Sequence, residues 1–148
     1  MIRHGTKKES ETRVIARELA KKLSSKRPKS TALVVGFTGE LGTGKTTFIK
    51  SFIRSMGVRK KITSPTFLIV RRFNIKHGGF ENIYHVDAYR IKGGRELSAV
   101  GADEIFNSPK NIVLVEWADR VKDVLPKSTI WVKFKYGKER NEREITID

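Results

Sequence analysis

The sequence predicts an α/β fold: a mostly parallel sheet flanked by helices, with an antiparallel hairpin at its C-terminal end. Three observations carry that reading. Ala32-Leu33-Val34-Val35-Gly36-Phe37 and Ile112-Val113-Leu114-Val115 are short, continuous apolar runs, as parallel strands buried on both faces produce. Ile49, Phe52, Ile53 and Met56 recur at the spacing of one helix face soon after the first run. Ser128 to Tyr136 alternates apolar with polar or basic residues, and Glu144 to Ile147 supplies a strand to pair with it.

The elements follow in order. Thr6 to Leu23 reads as a helix, with Thr6 and Glu9 as a capping box or Ser10 as a slightly later cap. Ile15, Leu19 and Leu23 repeat every four residues beside Ala16 and Ala20, so one face is apolar. Ser24 to Ser30 is a basic turn containing Pro28. A strand and a helix then occupy about Thr31 to Met56, and Gly57 is a natural helix stop. Thr66 to Phe73 reads as a strand, His77-Gly78-Gly79 as a turn, and Asn82 to Asp87 as the next strand. Gly93-Gly94 breaks the chain before a helical stretch from Arg95 to about Ile105. The run Ile112–Val115 ends at Glu116-Trp117, and Ala118 to Leu125 is a short helix that Pro126 stops. No repeat, low-complexity segment or linker divides the chain, so residues 1–148 are expected to form one domain.

Composition narrows the class. Hydrophobic residues make up 38% and charged residues 32%, an ordinary balance for a soluble globular chain. No run approaches the roughly 18 apolar residues of a membrane span, and residues 1–30 hold no signal-peptide core. Cysteine is absent, which excludes disulfides and thiolate metal sites and makes a reducing cytoplasm the expected location. The net charge is +15, and residues 1–30 hold 10 Lys/Arg against 3 Asp/Glu, a net +7. Further basic clusters are Arg54, Arg59, Lys60 and Lys61, and Arg71, Arg72 and Lys76. Such an excess suits contact with a polyanion such as a nucleic acid, and it equally suits a lysine-rich solubilising surface.

The chemistry sits between the first strand and its helix. Gly39-Glu40-Leu41-Gly42-Thr43-Gly44-Lys45-Thr46 fits the phosphate-binding pattern G-x-x-x-x-G-K-[ST], and the strand–loop–helix order is the context that pattern requires. In such a loop successive backbone N–H groups bond phosphate oxygens, and the helix N-terminus adds partial positive charge. Lys45 is expected to bridge the β- and γ-phosphates and the Thr46 hydroxyl to ligate Mg²⁺. The fold expectation is therefore that of a P-loop NTPase, with a nucleoside triphosphate and Mg²⁺ as ligands. The metal needs a carboxylate from a neighbouring strand end. Glu116 and Asp87 both qualify, each ending an apolar run. His85 shares a face with Asp87 and by itself reads as a packed or solvated histidine. Ser64-Pro65-Thr66-Phe67 stands where switch nucleotidases place a γ-phosphate-sensing hydroxyl, although Ser-Pro is also an everyday turn. Trp117 either lies over the nucleotide or closes the core, and its large area favours the core.

Taken in order, the motifs 39–48, Ser-Pro-Thr-Phe at 64–67, His-Val-Asp-Ala-Tyr-Arg at 85–90, Gly-Ala-Asp-Glu at 101–104 and Val-Glu-Trp at 115–117 resemble the TsaE (YjeE) family of small bacterial P-loop ATPases. The N-terminal Ser10-Glu11-Thr12 helix is similar too, and the resemblance covers nearly the whole chain. It implies an ATPase that works with TsaD and TsaB to install threonylcarbamoyl on the tRNA adenosine next to the anticodon. ATP hydrolysis in this family is thought to reset the complex between turnovers rather than perform the transfer. It further implies that Gly39 to Thr47 cradle the nucleotide, with Lys45 the phosphate lysine and Thr46 and Glu116 the magnesium residues. Asp87 matches an acid needed for hydrolysis, on or near the metal, and Thr66 the switch threonine. Arg140 and Arg143 match an arginine pair near the nucleotide, and Trp117 follows the metal acid. The family loop usually has Ala where Thr43 stands, and often Leu where Ala88 stands. A small-molecule kinase and a nucleic-acid-associated P-loop NTPase are the alternatives. The first lacks an arginine-bearing lid insertion, and the second rests on the charge. No Asn-Lys-x-Asp motif points to guanine.

Overall fold

The computed structural model describes residues 1–26, 29–63 and 69–148. Within them seven strands form one sheet. In chain order these are β1 (Ile2–Thr6), β2 (Leu33–Thr38), β3 (Val70–His77), β4 (Phe80–Asp87), β5 (Asn111–Glu116), β6 (Ile130–Tyr136) and β7 (Arg143–Ile147). The helices are α1 (Glu9–Ser24), α2 (Lys45–Ser55), α3 (Gly94–Ala99) and α4 (Ala102–Phe106), and a 3₁₀ helix covers Ala118–Val124. The strand order across the sheet is β1-β7-β6-β2-β5-β4-β3. No helix of the described residues is long and apolar enough to cross a membrane.

The sheet is mixed rather than mostly parallel. β6, β2, β5 and β4 run parallel to one another, while β1, β7 and β3 pair antiparallel. The two central parallel strands, β2 and β5, are the apolar ones: β5 is buried along its whole length, as a strand covered on both faces must be. The antiparallel strands lie outside them, and of these β3 alternates, burying Phe73 and Ile75 between exposed residues. From β2 the chain passes through α2 to the far side of β5, and from β5 it crosses back over β2 to β6. Connections thus diverge between β2 and β5, and the carboxyl ends of β2, β5 and β4 share one edge. That is where open α/β sheets take ligands.

One sheet face packs against α1 and α2, burying Ile15, Leu19, Phe37, Phe48, Phe52 and Ile83 among others. Phe48 is completely buried, tilted against Phe37 at 5.5 Å and edge-on to Phe134 at 5.7 Å. Burying each ring contributes roughly 1.5–3 kcal/mol, with about 0.5–1.5 kcal/mol more for such pairs. This cluster fixes α2, and hence the glycine loop before it, against β2 and β6. The opposite face carries α3, α4 and the 3₁₀ helix over Val34, Val86, Val113 and Val115.

Several sequence expectations need correction. The helix expected from Thr6 begins at Glu9, because residues 2–6 pair with β7 as an edge strand. No apolar alternation marks Ile2–Thr6, so only the pairing reveals it. The start is fixed neither by Thr6–Glu9 nor by Ser10. The Glu11 carboxylate instead accepts the Lys7 and Lys8 N–H groups, half of a capping box. Of the strand expected over 66–73, residues 66–68 lie outside the described residues, and the described strand runs from Val70 to His77. The helical stretch 95–105 is two short helices, broken where Gly101 adopts φ 87°, a left-handed turn that glycine takes without strain.

The cap gives a prediction. The Glu11 carboxyl lies below its ordinary value of 4.5, first through the Lys7 N–H bond, against desolvation, with Lys8 adding to it. A lowered folded-state value means the stabilisation is complete above 4.5 and fades as pH falls through the folded value. Glu11→Gln should therefore lower the melting temperature at pH 7. Its deficit against the wild type should shrink as the pH is taken below 4.5 in thermal unfolding monitored by circular dichroism.

Candidate functional site

The loop between β2 and α2 is shaped by its glycines. Gly39 has φ 137°, and a Cβ there would lie 2.5 Å from the Phe134 carbonyl oxygen of β6. Gly44, at φ 101°, turns the chain into α2. Thr43 is buried and donates its hydroxyl to the Glu40 carbonyl at 2.7 Å, tying the loop across its middle. Lys45 is also buried. Its Nζ donates to the Gly39 and Glu40 carbonyls at 2.6 and 2.7 Å and lies 4.3 Å from the Trp117 ring centroid. Burial pushes the ammonium below its ordinary value of 10.5, opposed by the charges of Glu116, Asp119 and Asp87.

The two strand-end acids come together as neighbours. Parallel pairing sets Asp87 of β4 opposite Glu116 of β5, so both carboxylates reach the same edge on the α2 face. Glu116 is 3% exposed. Its Oε1 accepts the Thr46 hydroxyl at 2.7 Å, and its Oε2 meets His85 Nε2 at 3.0 Å. Burial alone raises the Glu116 carboxyl. The contacts with His85, Thr46 and Lys45 outweigh it and hold the group below the ordinary 4.5. Asp87 goes the other way. Burial raises it, the Tyr89 N–H bond lowers it, and the Glu116 charge raises it again. At neutral pH Glu116 is thus an acceptor-only carboxylate, and the histidine Nε2 donates to it.

A cleft of about 570 Å³ opens over this edge, lined among others by Thr46, Thr47, Asp87, Tyr89, Glu116 and Trp117. A smaller cleft of about 210 Å³ lies across the loop, between Lys8, Thr12, Thr47, Asn141 and Arg143. Thr47 lines both, as do Gly42 and Gly44. Trp117 is neither plainly core nor plainly exposed. It is half-buried, with its ring on Lys45 and Tyr89, and its backbone is left-handed at φ 56°. A non-glycine residue there costs about 1–3 kcal/mol. Arg120 stacks against both Tyr89 and Trp117 and donates to the Tyr89 carbonyl.

The donors fit a hard cation. Thr46, Glu116 and Asp87 offer only oxygen, which suits Mg²⁺. Among the described residues no three His, Asp or Glu side chains form a cage of their own. A magnesium ion held through one or two carboxylates, with phosphate oxygens completing its shell, needs no such cage.

Gly39 to Thr47, Asp87, Glu116 and Trp117 are therefore gathered at one edge. Thr66 lies outside the described residues. Arg140 is exposed in the turn before β7, and its carbonyl accepts from Arg143. Arg143 reaches the loop, donating to the Gly42 carbonyl at 3.5 Å and stacking on Tyr136 at 4.5 Å. Sequence reading left His85 out of the site. Its place two residues before Asp87 on a strand was the available signal, because such residues share a face. Nothing in the sequence marked Arg120.

The sequence model of the family described as "Threonylcarbamoyl adenosine biosynthesis protein TsaE" matches residues 6–145. The "tRNA threonylcarbamoyladenosine biosynthesis protein TsaE" of Bacillus subtilis is 37% identical over 77% of this chain and 68% of its own length. The protein of the same description from Rickettsia conorii is 33% identical over 97% of the chain and 76% of its own length. The crystal structure of Bacillus subtilis YdiB superposes with a TM-score of 0.77 at 29% identity, covering 99% of this chain and 83% of that one. A glycine loop poised against a strand-end glutamate, on a sheet that superposes on YdiB and a sequence matched from residue 6 to 145, places this chain in the TsaE family.

Proposed function

We propose that residues 1–148 form one P-loop domain that hydrolyses ATP with Mg²⁺, as the accessory ATPase of TsaD and TsaB homologues in threonylcarbamoyl modification of the tRNA adenosine next to the anticodon. The observation that carries the ATPase reading is the 2.7 Å bond from the Thr46 hydroxyl to Glu116, seventy residues away, directly after a lysine folded into its own glycine loop. Chemistry that needs an anion, a hard cation and a fixed carboxylate in one place is phosphoryl transfer. The biosynthetic pathway is what the names of the relatives give.

In this reading the 39–44 backbone and the α2 N-terminus bind the β- and γ-phosphates. Lys45 exchanges its carbonyl partners for phosphate oxygens and offsets their charge as it develops. Thr46 and Glu116 hold the metal side, where bound Mg²⁺ would neutralise phosphate charge. Asp87, steadied by the Tyr89 N–H at 3.0 Å, orients the attacking water and accepts its proton as the bond from γ-phosphorus to the bridging oxygen breaks. Trp117 caps Lys45 against solvent. The smaller cleft, with Arg143 rather than Arg140, receives the rest of the nucleotide. Thr66 is assigned the γ-phosphate-sensing role on the motif alone.

Lys45→Ala should abolish ATP hydrolysis and strongly weaken nucleotide binding in a folded protein, measured by phosphate release and by titration with a fluorescent ATP analogue. Wild-type turnover would remove the phosphate-loop assignment. Glu116→Ala and Asp87→Ala should each lower Mg²⁺-dependent turnover by about tenfold or more, the scale of groups that organise this electrostatics. Activity of either variant within twofold of wild type would remove that residue from the mechanism.

Leu41 and Tyr89 line the large cleft yet stay 73% and 46% exposed. A site that cannot exclude water by itself turns over slowly until something closes on it. ATP turnover should therefore be slow in the isolated chain and rise on adding the TsaD–TsaB pair. Equal rates, with no nucleotide-dependent association, would favour the small-molecule kinase instead.

A further inference from the structure

His85 is the one buried side-chain polar group among the described residues with an atom left unpartnered. It is 0% exposed and sits on the α2 face of β4, between Ile83 and Asp87, opposite Leu114 of β5 and Arg71 of β3. Ile83 and Leu114 belong to the apolar core of that face. A leucine here would continue the core without an orphaned nitrogen. The imidazole instead spends its Nε2–H on Glu116 Oε2 at 3.0 Å and leaves Nδ1 without a partner. A buried unsatisfied atom calls for a reason.

The reason lies in the other oxygen of the same carboxylate. Glu116 Oε1 is held by the Thr46 hydroxyl from α2, and Oε2 by His85 from β4. With a single contact the carboxylate would be free to turn about its terminal torsion, which is broad and soft. Held from both sides, it has one orientation. Asp87 cannot supply that hold, because its Oδ1 is bonded to the Tyr89 N–H and both acids carry like charge.

We propose that His85 is a positioning residue for Mg²⁺: it locks the Glu116 carboxylate so that the Thr46–Glu116 pair presents a preformed metal-binding edge. It touches neither nucleotide nor metal and works through Glu116. This rests on the reading of Glu116 as the magnesium-side acid. Partners in this position, bonded to a ligating group, typically account for about 10–100-fold in metal affinity.

The test measures the Mg²⁺ concentration that half-saturates the metal-dependent tightening of a fluorescent ADP analogue, with affinity in EDTA as the metal-free reference. In His85→Leu the half-saturating Mg²⁺ should rise by about tenfold while the affinity in EDTA stays near wild type. His85→Gln, whose amide N–H can reach Glu116, should restore the wild-type value to within about threefold, whereas His85→Asn, too short to reach, should behave as the leucine variant. If His85→Leu does not fold, the glutamine–asparagine comparison decides. Equal Mg²⁺ dependence of those two, or an unshifted His85→Leu, would overturn the proposal. Glu116→Gln runs beside them. A shift there without one in the His85 variants defeats the inference alone, whereas no shift in Glu116→Gln defeats the metal reading and the inference with it.

Discussion

The buried carboxylate of Glu116 is the point on which the site depends. A charge at 3% exposure costs several kcal/mol unless it is paired. Its partners come from α2 and β4, the elements that flank β5 on that face. Satisfying one charge therefore fixes three things at once: where α2 begins, how β4 is registered on β5, and where Asp87 emerges. A one-residue slip of β4 would turn His85 and Asp87 to the opposite face, leaving Glu116 half-bonded. The phenylalanine cluster holds α2 from below, so the loop is clamped by packing on one side and by hydrogen bonds on the other.

Much of this was legible in the chain. A continuous apolar run before a glycine loop reads as a buried strand because parallel strands have no polar face. Ile112 to Val115 gave β5 for the same reason, and with it Glu116. What could not be read was anything set by pairing alone. Residues 2–6 carry no periodic signal and become a strand only because β7 offers an edge. Gly101 divides one helical pattern into α3 and α4, because periodicity does not register a left-handed turn. His85 was weighed as a single residue, whereas its role comes from a parallel register that no local pattern encodes. Arg140 lies in the turn and Arg143 three residues on at the start of β7, and only that geometry decides which reaches Gly42.

Thr43 has a structural part in the loop. Its hydroxyl bonds the Glu40 carbonyl and lies 3.5 Å from Lys45 Nζ. It braces the loop in the shape it already has. Trp117 pays in backbone strain for its position over the same lysine, and Tyr89 and Arg120 complete the stack. The roof of the site is thus built from residues that follow the two acids closely in the chain.

Lys45 brings these parts to one consequence. An ammonium has three donors, and two of them are spent on loop carbonyls. Water gains little by displacing them, since it offers no better acceptor than a carbonyl. A phosphate does, because its oxygens carry full negative charge where a carbonyl offers only a dipole. Desolvation, which holds the ammonium below its ordinary value, sharpens that preference, because in a site of low dielectric a cation gains far more from an anion than from a dipole. On the proposed reading, the loop holds its shape around its own carbonyls and exchanges them for an anion, so selectivity is built into the loop itself.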